Sequence, residues 1–133
     1  MKKLLLLMLV ATFSTQLKAQ QTSNTYRVVV MFSSECCGVP NEQPLLKAIA
    51  QFKKQHKIKK ISYDNIGPIG REGEYYMAFR LKELNKFKTA AFIKMVNKVV
   101  PTLKDKGMAT VEENKEIETS TLSSRTSITK KSL

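Results

Sequence analysis

Two adjacent cysteines are the residues of this chain with the clearest capacity for chemistry. Cys36 and Cys37 are its only cysteines, and they lie in the turn-rich segment SSECCGVPN over residues 33–41. A predicted helix follows, whose N-terminal amide groups would stabilise a thiolate. Such a pair can be structural, can act as a redox-active dithiol, or can bind a soft metal. We expect Cys36, Cys37 and the neighbouring Gly38 to line a site, with no cofactor unless it is Cu(I) or another soft metal.

A second group of polar residues lies in a glycine-rich stretch, where Arg71, Glu72 and Glu74 are flanked by Gly70 and Gly73. The glycines permit a ligand to approach the backbone, and the three side chains offer it a guanidinium group and two carboxylates. Two carboxylates work as general acid and base only when the pKa of one is raised, and the sequence indicates no burial that would do this. The stretch therefore predicts ligand-binding residues, or alternatively a solvated hairpin tip, and no catalytic residue.

The hydrophobic pattern predicts four strands and two helices in the order βαββαβ. The predicted elements are β1 over 26–32, α1 after Asn41, β2 over 60–64, β3 over 75–82, α2 after Asn85 and β4 over 108–113. This order is typical of the ferredoxin-like α+β fold, a four-stranded antiparallel sheet with both helices on one face. The most apolar strands, β1 and β3, should lie in its centre, and the more polar β2 and β4 should lie at its edges.

The predicted topology brings the two candidate groups together. The β1–α1 loop, the β2–β3 hairpin and the α2–β4 loop all lie at the same end of such a sheet. We therefore expect one binding site that is lined by Cys36, Cys37, Gly38, Arg71, Glu72 and Glu74. A dithiol in the β1–α1 loop of this fold resembles heavy-metal-associated domains, although that family separates its cysteines by two residues and here they are adjacent.

The N-terminal residues have the pattern of an export signal. Residues 1–19 begin with a Lys-Lys pair, continue with an apolar run over 4–13 and end at Ala19. The run is about half of the ~20 residues that a membrane-spanning helix needs, so we expect cleavage and no transmembrane anchor in the mature form. A single α+β domain over 20–116 and a disordered Ser/Thr-rich tail over 117–133 should follow. The mature protein should be periplasmic or extracellular.

The charge balance indicates an anionic partner. The chain has 23 Lys and Arg against 11 Asp and Glu, a net charge of +12. Lysines are concentrated over 47–60 and 82–106, which contain the two predicted helices, so one face should be basic. In an exported protein this favours an anionic envelope surface or an acidic protein as partner, and no nucleic acid.

The opposite face of the predicted sheet carries no helix. We expect it to expose an apolar patch for a partner or a homodimer, formed by Val29, Met31, Tyr76 and Ala78. The leading functional hypothesis is a small exported, non-enzymatic binding or interaction module of unknown ligand. The alternative is a thiol-disulfide or soft-metal-handling protein that uses Cys36 and Cys37.

Overall fold

The computed structural model describes residues 23–133, and the predicted signal peptide over 1–19 lies outside them. The described residues form five strands, two α-helices and two short 3-10 helices. In chain order these are β1 (Ser23–Ser34), α1 (Gln43–Gln55), β2 (Ser62–Gly67), β3 (Tyr75–Phe79), α2 (Lys86–Val99), a 3-10 helix (Val100–Thr102), β4 (Gly107–Glu118), a second 3-10 helix (Thr119–Thr121) and β5 (Ser127–Ser132).

The strands form one antiparallel sheet in the order β4-β1-β3-β2-β5. The predicted α+β class is confirmed, and β1 and β3 are interior strands as expected. The predicted number of four strands is wrong, because β5 pairs along β2 from Ser62↔Ser132 to Gly67↔Ser127. β2 is therefore an interior strand, and β4 and β5 are the edges of the sheet.

The main core lies between the sheet and the two helices. Alternate residues of β1, at positions 28, 30 and 32, point toward the helices. They pack with residues 45, 49 and 52 of α1, which follow the i, i+4, i+7 spacing of one helix face, and with residues 92, 93 and 96 of α2. Large members of this core are Phe32, Leu45, Ile49, Phe79 and Phe92. Each such side chain stabilises the fold by about 1.5–3 kcal/mol through its burial. No helix within residues 23–133 has the length and apolar character that crossing a membrane requires.

The C-terminal residues cover the other face of the sheet. β4 ends at Glu118, which pairs with Ser23, whereas β5 begins at Ser127, which pairs with Gly67 at the opposite end of the sheet. The connection over 119–126 must therefore cross the face that carries no helix. Its Leu122 packs against a second buried cluster there, formed by Tyr26, Val29, Ile66, Ala78 and Ile117.

Two further predictions are wrong. The tail over 117–133 is not disordered, because it contains the end of β4, the crossing connection and β5. The expected apolar patch is not exposed, because Val29 and Ala78 are fully buried, Met31 is half-buried, and Tyr76 is half-buried beside Leu122. The surface from which a homodimer was expected is covered by the chain's own C-terminal segment.

The crossing connection predicts a stability effect. We expect Leu122→Ala to lower the free energy of unfolding by about 1–2 kcal/mol, since a half-buried leucine loses part of its apolar contact. Ser124→Ala, in the same connection but exposed, should have no measurable effect. Urea unfolding measures both. Equal midpoints for the wild type and both variants would contradict the packed connection.

Candidate functional site

The loops that were predicted to converge do lie at one end of the sheet. The amide of Cys36 donates to the carbonyl oxygen of Lys106 at 3.5 Å, which joins the β1–α1 and α2–β4 loops. The carboxylate of Glu72, from the β2–β3 hairpin, is close enough to Cys36 to affect its pKa. The structure therefore brings the cysteine segment and the hairpin together.

The chemistry at this end differs from the expectation. Both cysteines are exposed and free, and a hydrogen bond with Cys37, partial desolvation and the charge of Glu72 raise the pKa of the Cys36 thiol. The direction of this pKa shift is opposite to the expected stabilisation of a thiolate at Cys36, and α1 begins at Gln43, seven positions further along the chain. Cys37 and Gly38 adopt positive φ angles of 65° and 116° and turn the chain away from β1.

The polar residues of the β2–β3 hairpin form a hydrogen bond within the hairpin or are exposed to solvent. The carboxylate of Glu74 accepts a hydrogen bond from the amide of Glu72 at 3.0 Å, while Arg71 and Glu72 are exposed at the tip. Neither Arg71 nor a cysteine lines any of the four best-formed surface cavities of residues 23–133. The same residues contain no group of three or more His, Cys, Asp or Glu that could hold a metal ion.

A basic cleft lies at the opposite end of the sheet. It has a volume of about 340 Å³ and opens between the ends of β2, β3 and β5. Its lining consists of five basic, two acidic and three neutral residues: Lys60, Arg80, Lys82, Lys130, Lys131, Asp64, Glu83, Ser62, Tyr63 and Ser132. We call this set the basic cleft. Because both carboxylates have internal partners, the cationic groups dominate what it offers to a ligand.

Arg80 is the fixed cation of the cleft. Its Nη1 donates to Oδ2 of Asp64 at 2.6 Å, and its Nη2 donates to the hydroxyl of Tyr26 at 3.0 Å and to Oδ1 of Asn24 at 3.1 Å. The guanidinium also lies over the Tyr26 ring, 4.3 Å from its centroid. These contacts hold a planar group with further N–H donors at the wall of the cleft, where its side chain stays 30% exposed.

Two of the partners of Arg80, Asp64 and Tyr26, are buried. Asp64 is only 3% exposed, and its Oδ2 also accepts a hydrogen bond from the Tyr26 hydroxyl at 2.7 Å. Burial is the largest cause that raises the pKa of Tyr26 to about 12, and the neighbouring carboxylate adds to it. Burial opposes the charge of Arg80, but the hydrogen bond to Asp64 and its other partners outweigh this and raise its pKa. Tyr26 is therefore neutral and Arg80 charged at ordinary pH.

An irregularity of β1 and β4 places Tyr26 in this network. Tyr26 and Val29 belong to the same buried cluster, although strict alternation would put them on opposite faces. Next to Tyr26, Arg27 donates to the side chain of Asn114, whose φ of 53° interrupts the paired strand. The face of both strands is reversed beyond this point, since Ile117 is also in the second cluster.

The other cations come from three further segments. Lys60 precedes β2, Lys82 follows β3, and Lys130 and Lys131 lie in β5 opposite Asp64 and Tyr63. The carboxylate of Glu83 is not free to pair with these lysines, because its Oε1 accepts a hydrogen bond from the amide of Ser62 at 2.6 Å. The arrangement can hold an anionic group by a fixed guanidinium and mobile ammonium groups.

Sequence reasoning missed this site. Lys60 and Lys82 were interpreted as part of a general basic surface, and Lys130 and Lys131 were assigned to a disordered tail. One signal was present: Asp64 lies on β2 and Arg80 directly follows β3, at positions whose neighbours two residues away, Ile66 and Ala78, are apolar. A charged residue of each sign on one apolar sheet face indicates a buried pair.

The network predicts a pH dependence. The pKa of Tyr26 is higher in the folded chain than its ordinary value of 10, so its contribution to stability is complete below pH 10 and is lost as the pH rises through about 12. Tyr26→Phe should lower the free energy of unfolding at pH 7 by about 1–3 kcal/mol and make the alkaline loss shallower. Tyr76→Phe, outside the network, is the matched control. Urea midpoints between pH 7 and 11 measure both, and equal behaviour of the two variants would contradict the network.

The cysteine segment predicts slow alkylation. Because the pKa of Cys36 is raised, its thiolate fraction at neutral pH is low, and iodoacetamide should label it more slowly than a free thiol in a peptide. Glu72→Gln should accelerate labelling of Cys36, whereas Glu116→Gln on β4 should not. Mass spectrometry with time measures each rate. Labelling of Cys36 faster than the peptide would contradict the raised pKa.

Comparisons with known proteins give no relative for this arrangement. No family model matches the chain, no curated protein matches it, and no solved structure matches it.

Proposed function

We propose that this chain is a small exported binding module without catalytic activity, and that it holds an anionic ligand in the basic cleft. The observation that carries the proposal is the fixed position of Arg80, held by Asp64, Tyr26 and Asn24 at the wall of a concave site. Four lysines complete the site. A rigid guanidinium with free edge donors is suited to a carboxylate or a phosphate group.

The charges of the cleft support an anion over a neutral ligand. The lining contains five cationic side chains and two carboxylates, and both carboxylates already accept hydrogen bonds. Asp64 accepts from Tyr26 and Arg80. Glu83 accepts from the amide of Ser62. In a concave region the field of several like charges is concentrated, which raises the local concentration of counter-ions. An anion with one or two carboxylate or phosphate groups is the ligand class that this lining favours.

The titrating groups support binding without catalysis. The lining residues contain neither His nor Cys. Tyr63, whose pKa is raised first by burial and then by Glu42, stays protonated, as does Tyr26 beneath Arg80. The cleft therefore supplies cations and hydrogen-bond donors, which suit the binding of an anion.

Export and a ferredoxin-like core belong to the same proposal. The Lys-Lys pair and the short apolar run over 4–13 support export to the periplasm or the exterior. The strand order β4-β1-β3-β2 and the packing of both helices in one core support a ferredoxin-like unit, to which β5 is added. In this environment the ligand would come from the cell surface or the medium.

Titration calorimetry with inorganic phosphate and with succinate tests the proposal. Lys82→Gln and Lys130→Gln should each weaken binding of whichever anion the wild type binds, phosphate or succinate, by about fivefold. A loss of this size is expected when one nearby charge is removed. A double variant of two exposed helix lysines away from the cleft, Lys47→Gln with Lys98→Gln, changes net charge by more and should weaken binding less. Equal losses in all variants, or no binding of either probe at low salt, would contradict the proposal.

A further inference from the structure

One aromatic side chain within residues 23–133 protrudes into the solvent. Phe87 is 84% exposed, whereas the next most exposed large apolar residues, Met108 and Ile128, are 44% and 38% exposed. It lies in the first turn of α2, which is capped by Asn85 through a hydrogen bond from the amide of Lys88 at 2.9 Å. The cap fixes the direction in which this turn leaves the β3–α2 connection, so the ring is presented by an ordered helix start.

Lysines are concentrated at the same end of the molecule. They come from the α1–β2 connection, the β3–α2 connection and the first turn of α2: Lys57, Lys59, Lys60, Lys82, Lys86 and Lys88. These segments are held together, because Nζ of Lys88 donates to the carbonyl oxygen of His56 at 3.0 Å and Glu83 accepts from Ser62. Over 56–61 and 80–89, Glu83 is the single acidic residue. We call Phe87 and these six lysines the Phe87 pole.

The other end of the sheet has the opposite character. Its loops carry five carboxylates against three cationic side chains, Arg71, Lys104 and Lys106. The carboxylates are Glu35, Glu42, Glu72, Glu74 and Asp105. The molecule is therefore electrically polar along its strands, with the cationic end also bearing the exposed aromatic ring. Such an asymmetry orients a protein toward a negatively charged surface.

We infer that the Phe87 pole docks onto an anionic lipid bilayer. A lone exposed apolar residue needs no explanation by itself, but Phe87 lies at the end of the molecule that carries these six lysines, five of which are exposed. A protein partner would require an apolar patch of several residues, whereas a bilayer interface accepts one aromatic ring below the head groups with ammonium groups at the level of the phosphates. The inference does not depend on ligand binding in the basic cleft.

Two contributions set the strength of such docking, the charge of the lysines and the insertion of the Phe87 ring. Each lysine near an anionic surface strengthens binding about fivefold, and the insertion of one phenylalanine ring contributes about tenfold or more. The charge contribution is screened as the Debye length falls from about 10 Å at 0.1 M salt to about 3 Å at 1 M. The attachment is therefore reversible and sensitive to salt.

Tryptophan fluorescence reports on the depth of the ring. The chain contains no Trp, so Phe87→Trp and Met108→Trp each introduce a single reporter at opposite ends of the sheet. With vesicles of phosphatidylglycerol and phosphatidylcholine in equal amounts, the emission at position 87 should shift to shorter wavelength and that at position 108 should not. Both variants share the same apolar run over residues 4–13, so any binding of that run to vesicles is common to both. A difference in emission between the two variants therefore reports on the Phe87 pole. A shift at both positions, or at neither, would overturn the inference.

Vesicle co-sedimentation then measures the contributions separately. Phe87→Ser should lower partition into the anionic vesicles about tenfold and Met108→Ser should leave it unchanged. Lys57→Gln with Lys86→Gln should lower it more than Lys47→Gln with Lys98→Gln, although both pairs remove the same charge. Equal partition into pure phosphatidylcholine vesicles would also overturn the inference. Calorimetry of Phe87→Ser with inorganic phosphate separates membrane docking from anion binding in the cleft. This variant should bind phosphate as the wild type does, because Phe87 does not line the cleft.

Discussion

The buried carboxylate of Asp64 is the constraint on which the second face of this protein depends. A carboxylate with 3% exposure is unfavourable unless it is paired, and Asp64 is paired twice, with the Tyr26 hydroxyl at 2.7 Å and with Arg80 at 2.6 Å. These partners come from β1 and from the end of β3, so one charge joins three neighbouring strands. Arg80 cannot turn away without leaving the buried charge of Asp64 with no cationic partner, and for this reason its remaining donors stay at the wall of the basic cleft.

The C-terminal segment completes both the fold and the cleft. The connection over 119–126 covers the apolar residues beside the Asp64 network through Leu122, and β5 then brings Lys130 and Lys131 next to β2. All six residues of β5 are exposed, so backbone pairing with β2, together with the Ile61–Leu133 backbone pair, holds it in place. The cleft is thus assembled from segments that are distant in sequence, and its positive charge is a property of the fold.

The predictable parts of the structure were those that a local pattern encodes. A continuous apolar run rich in β-branched residues identified β1, alternation identified β3, and helical spacing identified both helices. The order of these elements gave the correct α+β class. β5 was missed because SITKKS has little apolar surface, and composition alone cannot reveal pairing with an edge that another strand offers. The partnership of Asp64 with Arg80 and Tyr26 was missed because the three are separated by 16 and 38 positions and Tyr26 changes face at an irregularity in β1. The cysteines drew attention by their type, but the structure leaves them exposed, with the pKa of Cys36 raised.

The most direct measurement of the central claim is a map of anion binding along the chain. Two-dimensional amide NMR spectra during a titration with methyl phosphate would locate the bound anion without any substitution. The account predicts that shift changes are concentrated at residues 60–64, 80–83 and 130–132, around the basic cleft. Changes concentrated at residues 33–41 and 67–74, in the cysteine segment and the hairpin, would contradict it and return the functional site to the opposite end of the sheet.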